Sequence, residues 1–356
     1  MQGKIVISLD AMGGDNAPDA IVYAADRACQ ELSDIHFIIY GKEAEVAPIL
    51  KGLPRLSQYA QFIPTISAVN DDDKPVQALR NGIESSMRKA IDAVANKSAH
   101  ACVSAGNTGA LMVMAKKALG ELPGIKRPAI IGVFPNRQNG TVILDMGANS
   151  ECDENILLQF AHMGTCFARA VLEKEKPSVG ILNIGTEEVK GRVLEKNANS
   201  LFKQCPHLNY IGFVEGHHVT NGEVDVVVTD GFTGNIAVKF SEGTAKLCMD
   251  ILKDTFNTNW YTKLGGVVLK PFLQKNFSEI DPSHKNGAMF IGVNGIVVKS
   301  HGSSGIKRNL SAIKVAYALA KQEINEKIIT ELGSLKKDNI GYDIVSKIKK
   351  TFGMES

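Results

Sequence analysis

Val224-Asp225-Val226-Val227-Val228-Thr229-Asp230-Gly231-Phe232-Thr233-Gly234-Asn235 is the stretch that decides how the chain folds. Its first six residues form a β-branched apolar run of the length of a strand buried on both faces, and Ile236 to Phe256 beyond it has helical periodicity. A strand therefore feeds a helix through two glycines. Glycines at such a junction let the backbone turn sharply and approach a ligand, while the unpaired N–H groups of the new helix face an anion. Asp230 and Asn235 stand at the two ends of the turn. An Asp can orient a donor, and an Asn can give an amide N–H to a carbonyl or phosphate oxygen. The plainer alternative is an ordinary turn with Asn235 as helix N-cap.

The pattern recurs. Ile5 to Leu9 is a strand ending in Asp10-Ala11-Met12-Gly13-Gly14-Asp15-Asn16-Ala17-Pro18 before a helix over Asp19 to Glu31, although Gly-Gly alone does not match the dinucleotide fingerprint GxGxxG. His36 to Tyr40 is a strand, Glu43 to Leu50 a helix, and Ala60 to Pro64 a further short strand. Asp71-Asp72-Asp73 precedes a helix over Val76 to Asn96, where carboxylates complement the helix dipole. Arg80, Ser85, Ser86 and Arg88 within it are either an anion-binding group or a solvated face. Ala101-Cys102-Val103 leads to Ser104-Ala105-Gly106-Asn107-Thr108-Gly109-Ala110 and a helix over Leu111 to Leu119, again offering glycines, a hydroxyl and an Asn amide at a helix start.

Ala129 to Phe134 and Thr141 to Leu144 read as a hairpin across Pro135 to Gly140, and Asp145-Met146-Gly147-Ala148-Asn149-Ser150 follows before a helix over Glu154 to Leu172. Ser178 to Leu182 ends in Asn183-Ile184-Gly185-Thr186-Glu187-Glu188-Val189-Lys190-Gly191. A lysine among glycine-lined N–H groups can neutralise phosphate or polarise a carbonyl, and its alternative is an ordinary surface lysine. Tyr210 to Glu215 is another strand. Last, Gly295 to Ser304 ends in Lys299-Ser300-His301-Gly302 before a helix over Leu310 to Lys327; His301 is a general acid or base, a phosphate ligand, or a structural histidine.

Composition narrows the function classes. The 356 residues are 44% hydrophobic and 22% charged, the profile of a globular chain with a large core. A net charge of +2, without zinc-finger spacing or an aromatic-studded basic repeat, argues against nucleic acid. The six cysteines (Cys29, Cys102, Cys152, Cys166, Cys205 and Cys248) are scattered singly in apolar contexts, as buried thiols in a reducing compartment would be. The early strand leaves no room for a signal peptide, and no apolar run of about 20 residues could span a bilayer, so a cytoplasmic protein is expected. One segment breaks the βα alternation. Thr255 to Phe277 mixes Trp260, Tyr261, Leu264, Val268 and Leu269 with Lys263, Lys270 and Lys275, which suits an interfacial membrane element or a dimer contact better than a core hairpin.

Together, Asp10 to Asp15, Ser104 to Ala110, Asp145 to Asn149, Asn183 to Glu187 with Lys190-Gly191, Asp230 to Asn235 and Lys299 to Gly302 closely resemble the bacterial phosphate acyltransferase family, the acyl-carrier-protein:phosphate transacylases of phospholipid synthesis. The resemblance covers about residues 4 to 320 in consistent order. It implies that an acyl-carrier-protein thioester and inorganic phosphate give acyl phosphate for glycerol-3-phosphate acylation. It further implies a three-layer α/β/α sandwich with a Rossmann-like mixed sheet related to the isopropylmalate dehydrogenase-like fold. A homodimer, no metal or other cofactor, and peripheral membrane association beside the glycerol-3-phosphate acyltransferase that consumes the product also follow from it. Residues 1–327 would be the α/β domain, with 255–277 protruding and 328–356 a peripheral tail.

The lysine and asparagine that carry over as functional positions are Lys190 and Asn235, with His301 as general acid if one is needed. Asp10, Gly13, Gly14, Ser104, Gly106, Asn107, Thr108, Asn149, Asn183, Thr186, Asp230, Thr233 and Gly234 are the expected phosphate and substrate positions; Trp260, Leu264, Val268 and Leu269 the membrane contacts. Without a Gly-x-Ser-x-Gly elbow or a Cys/His constellation, direct attack of phosphate on the thioester is expected rather than a covalent acyl-enzyme. Two other classes stay open: a dehydrogenase, which would need a dinucleotide site and a carboxylate metal cluster, and a non-catalytic carrier-protein binding module.

Overall fold

A computed structural model describes residues 3–136, 138, 140–280 and 287–337. From the amino end β1 (Ile5–Asp10), α1 (Asp19–Glu31), β2 (Ile35–Gly41), α2 (Glu43–Lys51), α3 (Leu56–Tyr59) and β3 (Ala60–Pro64) alternate as the pattern predicts. α4 (Pro75–Asn81), α5 (Ser86–Ala95), β4 (Ala101–Ser104), α6 (Thr108–Leu119), β5 (Ala129–Phe134), β6 (Thr141–Leu144) and α7 (Glu154–Val171) follow. Next are β7 (Val179–Leu182), α8 (Val193–Phe202), β8 (Tyr210–Val214), α9 (Gly216–Asn221) and β9 (Val226–Val228). The described chain closes with α10 (Gly231–Asn257), α11 (Trp260–Ile280), β10 (Ala288–Ile291), β11 (Ile296–Lys299), α12 (Ile306–Lys321) and α13 (Ile324–Lys337).

The strands form one mixed sheet in the order β3-β2-β1-β4-β11-β10-β5-β6-β9-β7-β8. Helices cover both faces, the expected three-layer sandwich. Alternation along each strand explains why the strands read as continuous apolar runs. Ala101 and Val103 of β4 enter one core beneath α1, α7 and α12, while Cys102 enters another beneath α5 and α6. Likewise Val226 and Val228 of β9 join the first core, and Val227 packs with Ile143, Val214 and Val219 on the opposite face.

Strand direction has a larger consequence. β3, β2, β1, β4 and β11 are mutually parallel. The pairs β11–β10, β10–β5 and the expected hairpin β5–β6 are antiparallel, after which β6, β9, β7 and β8 are parallel again. Three reversals leave the second parallel set running opposite to the first, so the carboxyl ends of the two sets open at opposite ends of the sheet.

Several element limits differ from the expectation. The helix over Val76 to Asn96 is two helices, because Gly82 closes α4 and the Ser85 hydroxyl accepts from the Arg88 N–H to cap α5. The helix over Leu310 to Lys327 is also two, divided at Glu323 with φ +50°. The boundary expected at 327 falls inside α13, whose Ile324, Ile328 and Leu332 are buried. The tail from 338, the hairpin positions Arg137 and Asn139, and the side chains of Lys275 and Phe277 lie outside the described residues. Around the segment 255–277, α10 and α11 form a helical pair, and in α10 only Gly231 and Gly234 are buried. That exposure corrects one cysteine. Cys102, Cys166 and Cys205 are buried and Cys29 and Cys152 half-buried, but Cys248 is exposed on α10.

Candidate active site

The six motifs fall into two arrays rather than one, because the strands that carry them run in opposite directions. The loops after β1, β4 and β11 make the first array and those after β6, β7 and β9 the second. Among the described residues no hydrogen bond joins them.

In the first array polar groups are spent on holding loops together. Asp10 is buried and its carboxylate accepts from Ser86 Oγ and Ser104 Oγ, both at 2.6 Å, and from the Met12 N–H at 3.2 Å. Burial pushes its pKa up, against the pull of the two hydroxyls. A Cβ on Gly13 would stand 2.5 Å from the Gly106 nitrogen, so glycine here permits backbone-to-backbone contact. Gly14 has φ +92°, and the next N–H, of Asp15, donates to Gly302 O at 2.9 Å. Asn107 caps α6 by accepting from the Ala110 N–H and donates to the carbonyls of Asp71 (2.7 Å) and Asp73 (2.9 Å). Its amide is thus occupied in tethering the acidic loop. Thr108 is exposed in the first turn of α6.

Lys299, a motif residue whose role is not evident from the sequence, is held between these loops. Its Nζ donates to Ala105 O at 3.1 Å and to Ser300 O. Burial lowers its pKa to about 8, opposed by Asp71, Asp10 and Asp15. His301 is exposed, with Nδ1 3.0 Å from Ser303 Oγ, and it belongs to this array and not to the one holding Lys190 and Asn235.

The second array is built on two buried carboxylates. Asp145 accepts from the N–H groups of Ile130, Gly147, Ala148 and Asn149 and from Asn149 Nδ2, all at 2.7–3.1 Å. That shapes the β6 loop around one fully hydrogen-bonded anion. Asn149 also donates Nδ2 to Pro128 O at 2.8 Å and its carbonyl accepts from the Gly231 N–H, so both its roles are internal. Asp230 is the helix N-cap: Oδ1 accepts from the Thr233 N–H at 2.7 Å, and Oδ2 accepts from Arg192. This corrects the alternative in which Asn235 caps the helix, since α10 starts at Gly231 and Asn235 lies in its second turn. Thr233 is half-buried in the first.

Gly234 is glycine by necessity, because a Cβ there would stand 2.0 Å from Asp145 O. Close approach of the α10 start to the β6 loop follows, and it sets Asn235 against Gly147: a Cβ on Gly147, at φ +134°, would lie 3.3 Å from the Asn235 Cβ and Cγ. The half-buried Asn235 amide makes no hydrogen bond with the described residues. On neighbouring β7, Asn183 donates Nδ2 to Gly185 O at 3.1 Å and packs against Gly191, at φ +90°. Thr186 and Lys190 are exposed, and the Lys190 ammonium has no carboxylate partner among the described residues. Its Cγ lies 3.2 Å from where a Cβ on Gly185 would stand.

Arg192 went unnoticed in the sequence. It bridges Glu195 and Asp230, both buried, and those hydrogen bonds hold its guanidinium charged. Its only sequence signal is its place two residues after Lys190, in a loop already marked for anion chemistry. Asp145 was within a quoted motif, but five donors converging on it are visible only in three dimensions.

Comparison with known proteins adds an independent line. The family model described as "Fatty acid synthesis protein" matches residues 5–327. A phosphate acyltransferase of Rhodospirillum centenum is 48% identical over 336 residues, which cover 94% of this chain and 95% of that protein. A phosphate acyltransferase of Rhodospirillum rubrum is 44% identical over 336 residues, covering 94% and 96%. Among solved structures, a phosphotransacetylase from Streptococcus pyogenes superposes with TM-score 0.59 at 18% identity, over 90% of this chain and 95% of that one. The EutD phosphotransacetylase from Staphylococcus aureus gives 0.58 at 16%, over 89% and 94%. At those identities the two structures speak for the fold alone.

Proposed function

This chain belongs to the phosphate acyltransferase family, and from that premise we propose that the acyl group it passes to phosphate comes from an acyl-carrier-protein thioester, by direct attack and without an acyl-enzyme. The observation that carries this reading is in the second array. There Asp145, Asn149, Asn183 and Asp230 are satisfied internally, whereas the Lys190 ammonium and the Asn235 amide, on loops after the adjacent strands β7 and β9, make no ion pair or hydrogen bond with the described residues. Groups kept free beside a rigid loop framework are what a preorganised anion site needs.

In the proposed reaction Lys190 binds the phosphate dianion, with the Arg192 guanidinium beside it fixed by Asp230 and Glu195. A phosphate oxygen attacks the thioester carbonyl carbon, and Asn235 donates its amide N–H to the oxyanion. The C–S bond then breaks, its electron pair leaves on the carrier thiolate, and acyl phosphate results. Thiolate is a good leaving group, so no general acid is assigned; His301, in the other array, takes no part. The cysteines support direct attack. Cys152, near this array, has its thiol pushed up to about 12 by burial and by Asp145 and Asp230, which keeps it protonated. Cys248 is 13 residues beyond Asn235 on α10, about 20 Å along the helix.

The test is to mix enzyme, acyl-carrier protein and inorganic phosphate and follow thioester loss with acyl phosphate formation. Both should require phosphate. Phosphate-independent thioester loss, or binding of the carrier protein without turnover, would overturn the proposal, the second in favour of a binding module.

The exposed face of the α10–α11 pair is the proposed contact with a membrane surface, where a lipid-tailed product is handed to a membrane acyltransferase acting on glycerol 3-phosphate. No helix of the described residues is long and apolar enough to cross a membrane. Trp260, Leu264, Val268 and Leu269 are all exposed, with Trp260 and Tyr261 stacked at 3.7 Å and Lys263 and Lys270 on the same helix. Apolar side chains interleaved with cations suit an anionic interface, and equally a second copy of the chain in a homodimer. A Leu264→Glu, Val268→Glu variant is expected to lose co-sedimentation with anionic vesicles while keeping most of its transacylase turnover in solution. Unchanged sedimentation removes the membrane role, and a shift to monomer on gel filtration identifies the face as the dimer contact instead.

A further inference from the structure

A cavity of about 360 Å³ opens where α6 faces the start of β5, the end of β10 and the β6 loop. Its floor is apolar: Ala129, Phe290 and Val293 are nearly fully buried, and Met112 of α6 closes one side. Its mouth is cationic. Lys116, Lys126 and Arg127 line it together, and none is held in a buried ion pair. Lys116 meets Glu121 at 2.9 Å and Lys126 meets Asp153 at 3.5 Å, with lysine side chains 61% and 51% exposed, while Arg127 donates to Glu151 O at 3.3 Å. Such solvent-exposed pairs are weak, so an incoming phosphate can displace them.

One further pair of lining residues matters most. Ala148 and Asn149 line the cavity, and they belong to the same turn as Gly147, against which Asn235 sits. A slender molecule whose phosphate rests on the cations and whose body lies on the apolar floor is therefore held against the turn that carries Gly147, the neighbour of Asn235. The volume is near the lower end of ordinary ligand pockets, about 300–1,000 Å³, which excludes a folded partner and suits one flexible arm.

We infer that this cavity holds the phosphopantetheine arm of the acyl donor, with Lys116, Lys126 and Arg127 on its phosphodiester and Met112, Ala129, Phe290 and Val293 along its chain. The assignment rests on the carrier-thioester reading above and specifies how the donor is held.

Two donors separate the possibilities: acyl-carrier protein, which has the whole arm, and the acyl thioester of N-acetylcysteamine, which keeps the reacting end but lacks the phosphate. A Lys126→Glu, Arg127→Glu variant is expected to raise KM for acyl-carrier protein at least tenfold more than KM for the truncated thioester. Met112→Trp, which fills the cavity from α6 without touching the charges, should shift the same ratio in the same direction. Equal effects on both donors in both variants overturn the assignment, as does an unchanged KM for acyl-carrier protein. If Met112→Trp alters only the dependence on acyl length, the cavity holds the acyl chain and the assignment is likewise overturned. Wild-type enzyme that makes acyl phosphate from the truncated thioester but never from acyl-carrier protein refutes the donor reading itself, a result distinct from the others.

Discussion

Lys190→Ala is expected to lower turnover about a hundredfold or more at saturating phosphate, with little change in thermal midpoint. Lys190 is exposed and makes no ion pair with the described residues, so its loss removes only the contact of its stem beside Gly185. The lost turnover follows from its place on the β7 loop beside Gly185, where a mobile stem can bring an ammonium to an anion held by neighbouring loops. Lys190→Arg is the informative companion. Arg192 already supplies a planar guanidinium fixed by Asp230 and Glu195, and a second guanidinium does not reproduce a compact point charge. Partial activity is therefore expected from Arg, well below wild type. Initial rates over a phosphate series, with melting curves of each variant, check both claims. An alanine variant with near wild-type turnover at saturating phosphate would remove Lys190 from the reaction.

How much of this was legible beforehand depended on range. The buried strands were readable because Val226, Val227 and Val228 face cores on both sides of the sheet, which forces a continuous apolar run. The glycine turns were readable too, since Gly13, Gly147 and Gly234 sit where a Cβ would strike backbone or a neighbouring side chain. Strand direction was not. Nothing local in Ala288–Ile291 says that it lies antiparallel between β5 and β11, yet that pairing helps turn one array of loops into two. His301, the general acid expected if one is needed, accordingly lies in a different array from Lys190. Caps were legible only by residue type: Asp230 and Asn235 are both plausible N-caps, and the choice is made by the Thr233 N–H and by Gly234 meeting Asp145. Arg192 illustrates the last limit. Its significance comes from a partner 38 residues away, and no spacing rule reaches that far.

Asn235→Asp tests the other free group, and it should be more damaging than Asn235→Ala. Removing one oxyanion donor typically costs about a hundred- to a thousandfold in turnover, which sets the expectation for alanine. Aspartate occupies the same volume but loses the N–H and adds a negative charge where phosphate and the developing oxyanion must come, so repulsion is added to the lost donor. Folding does not supply a competing explanation. Asn235 lies in the second turn of α10, near the positive end of the helix, where a carboxylate is tolerated or mildly favoured. The side chain it replaces makes no hydrogen bond with the described residues, so none is broken. The two variants are therefore expected to melt close to wild type and close to each other, while turnover ranks wild type, then Ala, then Asp. An aspartate variant that equals or exceeds the alanine variant would mean that position 235 does not face the anion. The oxyanion would then fall to the cations of the β7 loop, since the backbone N–H groups of Gly147, Ala148 and Asn149 are already donated to Asp145.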